Sequence, residues 1–491
     1  MFTHTARRVP AALALRDATD AYTYEETYRL SRRAAGALVA AGVRSGDAVL
    51  VSTDHTADGV LALLAVVAAG ATPVPVEPNG PPARLARIVA SAGAHLALTD
   101  ELGREAPAGC GVPVLRLADA VRAEPSAAEL APSPLAYVLF TSGTTGSPKG
   151  VEVTHRNMLS LLAGADQWED STGEDVWACY HAFTFDVSMW EVWRPLSLGA
   201  VIHVLPRAAQ LDGELALALV AEHGITSLCQ TPTAAKLLAR HVAGGGLPAN
   251  LRRLLLAGER LEFSDLGPLS PAVASGALRI WNAYGPTETT VYATAHRLTA
   301  DDIDHGLRSL IGRPLPEVGV EIREPDGRGV GELWLSGPQV ARGFRGDAEL
   351  TAERFVVDRR GRRAYRSGDL VRDAGDGVLE FAGRTGGYLK VRGYRVEPGE
   401  VEAALCAHPA VAEASALVTG VLPWGETIVA AVVLHNGCTL AETELRRHVA
   451  NLLPTHMRPG RIVFLAALPR SGSTKLDPDV LRTRVEEALL S

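Results

Sequence analysis

At 491 residues the chain is too long for one ordinary domain, so two or three folding units are expected. Hydrophobic residues at 47% against 21% charged supply ample core, and a net charge of -8 with no basic cluster excludes a nucleic-acid partner. Five scattered cysteines (Cys110, Cys179, Cys229, Cys406, Cys438) without C-x-x-C spacing exclude a disulfide framework and a zinc site, and fit a soluble protein of a reducing cytoplasm.

Met1 to Asp17 contains no signal-peptide core. Helical stretches at Tyr28–Ala41, Ala57–Ala69, Pro82–Ser91 and Leu215–Glu222 alternate with short apolar runs at Ala48–Ser52, Thr72–Val76, Leu96–Leu98, Val201–Leu205 and Leu254–Leu256. This alternation predicts α/β layers with largely parallel sheets. The longest apolar stretch, Val60 to Ala71, is too short to span a bilayer and runs into Pro73 and Pro75, so it reads as a buried helix followed by a strand, with no membrane partner. From Val318 the texture changes to short antiparallel strands: Val318–Arg323, Gly331–Ser336 and Gly377–Ala382. A small α+β tail follows, with helices at Pro398–Ala407 and Leu440–Leu453 and strands at Glu413–Thr419 and Thr427–Leu434. The expected break lies at Thr385-Gly386-Gly387, giving an N-terminal body over 1–385 and a mobile C-terminal domain over 386–491.

The most informative segment runs from Tyr137 to Gly150. The apolar run Leu135–Phe140 feeds a loop of Thr141, Ser142, Gly143, Thr144, Thr145 and Gly146, ending in Lys149. Glycine lets successive amides point at one anion, and lysine adds a mobile charge, so the loop reads as a phosphate cradle rather than a plain turn. It is not the Walker pattern, because Lys149 lies between Pro148 and Gly150.

Later segments complement it. Asn282-Ala283-Tyr284-Gly285-Pro286-Thr287-Glu288 offers a ring for a base and a carboxylate for Mg²⁺, which prefers oxygen donors. Tyr365-Arg-Ser-Gly-Asp-Leu370 places Asp369 after a turn, where one carboxylate can accept two ribose hydroxyls. Gly383-Arg384 precedes the joint, and Lys475 stands near the C-terminus. Each alone reads as a solvated surface charge.

Together, their order and wording resemble the adenylate-forming superfamily, and within it the amino-acid adenylation domains of nonribosomal peptide synthetases. Further matches are Tyr22-Thr-Tyr-Glu-Glu26, Ala69-Gly-Ala-Thr-Pro-Val-Pro75, His181 to Trp193 with Phe185-Asp-Val-Ser188, Gly331-Glu-Leu-Trp334, Val340-Ala-Arg-Gly343 and Lys390 to Glu400. The resemblance covers almost the whole chain. It implies that ATP and an amino acid give an aminoacyl adenylate and pyrophosphate, and that the acyl group then passes to the phosphopantetheine thiol of a carrier protein. Thr141 to Gly146, with Lys149, would hold the β- and γ-phosphates. Tyr284 would stack on adenine, bordered by Ala257, Gly258, Glu259, Asn282, Ala283, Gly285, Thr287 and Phe381. Asp369 and Arg384 would hold the ribose, Glu288 would hold Mg²⁺, and Lys475 would bridge the substrate carboxylate and the α-phosphate. Cations placed where charge develops lower the barrier to like-charge attack.

The resemblance also implies the acid. Asp186 occupies the position where amino-acid enzymes of the family pair the substrate ammonium, and where fatty-acyl and aryl-acid relatives lack an aspartate; helix capping is its alternative use. The side-chain pocket maps onto Val187, Trp190, Cys229, Leu255, Ala257, Ala283, Val291 and Tyr292, with Lys475 at the carboxylate. This lining carries no charge, so a charged substrate side chain would be left unpaired, and an apolar or aromatic amino acid is expected.

Three departures stand out. Gly386 occupies the hinge position where the family has an acid, Tyr388 replaces a glutamine, and Ser473-Thr474 replaces an Asn-Gly pair beside Lys475. The chain ends soon after Lys475 with no carrier segment, which reads as a stand-alone enzyme, or an excised domain, loading a carrier supplied by another chain. A small MbtH-like activator stays open as a further partner. The competing readings are an acyl-CoA or aryl-CoA ligase of the same superfamily, against which Asp186 weighs, and a degenerate nucleotide-binding module.

Overall fold

The computed structural model describes all residues except 104, 124–130, 143–146, 211, 307–308, 386–388, 392–393, 420–426, 471–477 and 491. Its contacts divide the chain into two units. The first comprises Met1–Pro78, Val89–Leu139 and Gly150–Thr385, and the second comprises Asn79–Ile88, Phe140–Lys149 and Gly386–Ser491. The expected α/β body and small α+β tail are both present.

In the first unit a 14-stranded sheet carries the site. Six of its strands run parallel to their neighbours, in the order Arg279–Tyr284, Arg253–Leu256, Ser227–Gln230, Val176–Cys179, Val201–Val204 and Leu13–Arg16. Beyond Arg279–Tyr284 the pairing turns antiparallel, through Thr294–Arg297, Leu310–Pro314, Leu379–Arg384, Arg363–Asp373, Gly331–Ser336 and Gly319–Arg323. The change therefore comes at Thr294, earlier than the texture of the sequence suggests. The strand Thr294–Arg297 is too short and mixed to read as apolar. A second, four-stranded sheet is parallel throughout, ordered Thr72–Pro75, Ala48–Ser52, Leu96–Thr99 and Val114–Arg116. The apolar stretch from Val60 lies in the helix Ala57–Ala68, buried over nearly its whole length before the strand Thr72–Pro75. Among the described residues no helix is long and apolar enough to cross a membrane.

One buried carboxylate ties the parallel strands together at their starting ends. Asp175 precedes Val176–Cys179 and accepts from the Thr172 N–H (2.7 Å), the Thr226 hydroxyl (2.7 Å) and the Arg253 guanidinium (2.7 Å). Thr226 and Arg253 stand at the start of the next two strands in the sheet. Burial pushes the Asp175 carboxyl up, but these hydrogen bonds and the Arg253 charge outweigh it and leave it below the ordinary carboxylate value.

In the second unit Val411–Thr419 pairs antiparallel with Thr427–Leu434, which pairs parallel with Arg461–Phe464. Alternation along Thr427–Leu434 sends Ile428, Ala430 and Val432 into a core with Val401, Leu405, Leu445 and Val449. Val429 and Ala431 face Leu481 and Val485 of the helix Pro478–Leu490. Both faces of this strand are thus covered, which accounts for its unbroken apolar run.

Asp175→Asn is expected to lower the unfolding free energy by about 3 kcal/mol, the scale for breaking a buried ion pair from one side. Urea unfolding at neutral pH measures it. Because folding lowers the pKa of Asp175, its contribution is present above the unfolded carboxylate pKa and is lost as pH falls through the folded value.

Candidate active site

The positions expected to line a side-chain pocket fall on one face of the parallel sheet near its carboxyl ends, where ligands of such sheets gather. Cys229 pairs with Leu255, and Leu255 with Trp281. Two residues further along, Ala257 and Ala283 repeat that face, because side chains alternate with a period of two. All five belong to one core cluster together with Val187, Trp190, Val291 and Tyr292. The register thus places Cys229, Leu255, Ala257 and Ala283, four of the eight uncharged positions expected to surround a substrate side chain, on one sheet face, and the other four share their core cluster. Asn282 and Tyr284 alternate to the opposite face. Tyr284 packs there with Ile311, Leu333 and Val371, and the Asn282 amide donates to the Leu310 carbonyl at 2.7 Å.

Asp186 lies just before the helix Val187–Leu198 and is buried. The turn before it is fixed by Glu191, which accepts from the Tyr180 N–H (3.0 Å), the His181 N–H (2.9 Å) and the His181 ring (2.8 Å). The His181 ring stacks on Phe185 at 5.3 Å. Asp186 has helical backbone angles and makes no side-chain capping bond, so helix capping does not explain it. Burial above all pushes its carboxyl up to about 6. The Glu288 charge adds to this, while the Thr287 hydroxyl, His181 and the Val187 N–H oppose it. A buried ionised carboxylate such as Asp186 calls for a cationic partner.

Asp369 and its neighbours form the second cluster. The Tyr284 hydroxyl donates to its carboxylate at 2.5 Å, and Arg384 does so at 2.9 Å. The Asp369 N–H donates to Ser367 Oγ at 3.0 Å, and Phe381 lies 6.5 Å from the Tyr284 ring, centroid to centroid. Tyr284, Asp369, Arg384 and Phe381 are therefore brought together from three separate segments. Gly258 adopts a left-handed conformation (φ 92°), and Glu259 accepts the Thr233 N–H at 2.8 Å.

The cradle residues Thr141, Ser142 and Lys149 fall in the second unit, at the end of Leu135–Thr141 and the start of Lys149–Thr154. Gly143, Thr144, Thr145, Gly146, Gly386 and Lys475 lie outside the described residues, as do Tyr388 and Ser473-Thr474.

Two residues near the site, Trp168 and Gln339, lie in no motif that sequence reading singled out, while Tyr137 opens the Tyr137–Gly150 segment with no role assigned to it there. Tyr137 is buried, and the Asp186 charge adds to burial in pushing its hydroxyl well above the ordinary tyrosine value. Trp168 stacks on Trp190. Gln339 braces the segment after Glu288, where the β-branched Thr290 (φ 62°) and Val291 (φ 63°) hold left-handed angles that such residues avoid. Its amide donates to the Tyr292 carbonyl at 2.7 Å, and its own carbonyl accepts the Thr290 hydroxyl at 2.7 Å. Gly285 is required beneath this segment, since a Cβ there would lie 2.5 Å from the Val291 carbonyl oxygen. Gln339 adjoins the motif Val340–Gly343, the one signal that could have drawn attention to it.

Because its folded pKa is raised, ionised Asp186 disfavours folding above the unfolded value, and the penalty is relieved as pH falls through about 6. Asp186→Asn is expected to stabilise the unliganded protein at pH 8, by at most about 3 kcal/mol at about 1.4 kcal/mol per pKa unit. Denaturant unfolding at pH 8 and pH 5 checks this, with the gain shrinking at the lower pH.

Residues 2–345 match the AMP-binding enzyme family, and residues 400–475 match the AMP-binding enzyme C-terminal domain. The chain is 34% identical to the dimodular nonribosomal peptide synthase of Bacillus subtilis (strain 168), covering 96% of this chain and 21% of that protein. It is also 34% identical to syringomycin synthase SyrB1 of Pseudomonas syringae pv. syringae, covering 100% of this chain and 82% of that one. Holo-PA1221, a nonribosomal peptide synthetase protein with adenylation and PCP domains, superimposes with a TM-score of 0.83 at 26% identity, over 98% of this chain and 83% of that one. The o-succinylbenzoate CoA synthetase MenE of Bacillus subtilis shares the fold, with a TM-score of 0.86 at 23% identity, over 98% and 97% of the two chains. With both family segments matched in order, this chain belongs to the AMP-binding, adenylate-forming enzymes, and it resembles the adenylation domains of nonribosomal peptide synthetases over nearly its whole length.

Proposed function

We propose that the chain activates an α-amino acid with an uncharged, apolar side chain as its adenylate, and then transfers the acyl group to the thiol of a phosphopantetheinylated carrier protein. The observation that carries this reading is Asp186, a buried carboxylate just before the helix that carries Trp190, near a second buried carboxylate, Glu288. A substrate ammonium at Asp186 would neutralise it and restore the ionised form. An acyl-CoA or aryl-CoA ligase acting on an acid without an amine would leave that charge uncompensated.

In the first step a substrate carboxylate oxygen attacks the α-phosphorus of ATP, the bond to the bridging oxygen breaks, and pyrophosphate leaves. Glu288 suits Mg²⁺, which takes oxygen ligands and usually keeps only one or two protein carboxylates besides phosphate oxygens and water. Bound there, Mg²⁺ would offset phosphate charge. Asp369, held between Tyr284 and Arg384, offers its carboxylate to the ribose hydroxyls. Lys475 supplies the cation at the reacting oxygens, on the strength of the family motif. In the second step the carrier thiol sulfur attacks the acyl carbon, loses its proton, and AMP leaves. The likeness to a protein with adenylation and PCP domains supports a carrier as partner, while an MbtH-like activator stays an open possibility for binding assays.

Amino-acid-dependent exchange of labelled pyrophosphate into ATP tests the reading. Asp186→Asn is expected to lower amino-acid-dependent exchange at least about 100-fold, through loss of a charged partner. In the native protein, affinity for the amino acid should weaken as pH drops below about 6, where a proton competes with the ammonium. Equal exchange with acids lacking the α-amine would overturn the proposal. Lys475→Ala is expected to abolish adenylate formation, a loss of at least about 100-fold, and to spare thioester transfer from preformed adenylate. Equal loss of both half-reactions would refute that division of labour.

A further inference from the structure

The aromatic rings behind Asp186 are packed against one another. Trp190 stacks on Trp168 with ring centroids 5.5 Å apart and planes at 28°. Tyr292 meets the edge of Trp190 at 5.5 Å and of Trp168 at 6.1 Å, and Trp177 closes a further side of Trp190 at 6.2 Å. Tyr292 and Cys229 belong to the same buried cluster as these rings.

Solvent access stops at this layer. Asp186 and Ala257 retain 8% and 7% exposure, whereas Trp190, Tyr292 and Cys229 have 0%. A slot deep enough for a substrate ring would expose the atoms lining its end.

The rings are also held in place. Trp168 sits between Asp166 and Glu169, and both carboxylates are anchored by Arg194 of the helix that carries Trp190, at 2.6 Å and 2.5 Å. The Arg194 guanidinium lies 5.9 Å from the Trp190 ring centroid. Trp168 is thus pressed onto Trp190 by an ion-pair clamp whose Glu169 arm is buried and whose Asp166 arm is exposed. The strained backbone at Val291, braced by Gln339, fixes Tyr292 from the other side.

We infer that the substrate is a short-chain amino acid, with a side chain of about three non-hydrogen atoms or fewer in the range from alanine to valine, since overfilling a packed site is unfavourable. Trp168 is a positioning residue that sets this limit through Trp190. The inference rests on the amino-acid reading of Asp186. Of the side chains the uncharged lining admits, it selects the small ones and excludes the aromatic ones.

Pyrophosphate exchange over a panel of alanine, serine, cysteine, threonine, valine, leucine, phenylalanine, tyrosine and tryptophan tests it, with acids lacking an α-amine as a separate arm. The native protein should turn over one of the first five fastest, at least about tenfold above any aromatic amino acid, because a methylene or two in a tight pocket is worth that much. Trp168→Ala should raise the phenylalanine-to-alanine exchange ratio at least about tenfold, and Trp168→Phe should restore the native ratio. A ratio taken on one protein is insensitive to how much of it is folded. A native maximum at leucine or any aromatic amino acid overturns the size limit alone. An unchanged ratio in a folded Trp168→Ala protein overturns the role of Trp168. Exchange supported only by acids without the amine removes the amino-acid reading and the size limit with it.

Discussion

The constraint on which the rest of the site depends is the burial of the Asp186 carboxylate beside Glu288. An isolated charge in an apolar interior is strongly disfavoured, and two of like sign more so. Such a pair persists only where the surrounding structure leaves it no alternative. Here the His181–Glu191 contacts fix the turn, the helix Val187–Leu198 fixes its far end, and the braced segment after Glu288 fixes the second carboxylate. The stability that tolerates this lies elsewhere in the unit, in paired charges such as Asp175 with Arg253 and in broad apolar packing.

A single strand, Arg279–Tyr284, separates the two halves of the chemistry. Its period-two alternation turns Ala283 toward the side-chain pocket and Tyr284 toward Asp369 and Phe381. Ala257 and Ala283 are small and keep slight exposure, while Trp190 and Tyr292 are fully buried. On the proposed reading, depth is set by the aromatic layer, and width by the sheet face. The strain at Thr290 and Val291 belongs to the same design, because it aims Tyr292 inward while Glu288 stays buried close by.

Much of the fold was legible where local pattern and tertiary role coincide. The apolar helix Ala57–Ala68, the parallel strands around it and the strand pair of the C-terminal unit follow directly from period and composition. The helix Pro232–Gly245 was not among the expected elements, although the Thr231 cap and the proline at its first turn are readable helix-start signals. The switch to antiparallel pairing at Thr294 was not legible, because a four-residue mixed strand takes its direction from its neighbours rather than from its own residues.

By itself the sequence determined the chemical cast: the uncharged lining, the carboxylates Asp186, Glu288 and Asp369, and the adenylate-forming family they signal. Those residues sit in short contiguous motifs, so their meaning survives without coordinates. Only the tertiary structure decided what packs against Trp190 and what braces Tyr292. Trp168 and Gln339 act through contacts across 22 residues to Trp190 and across 47 to Tyr292, distances over which no local pattern reports contact. It also decided that Asp186 is no helix cap, since that depends on side-chain geometry that residue identity does not encode.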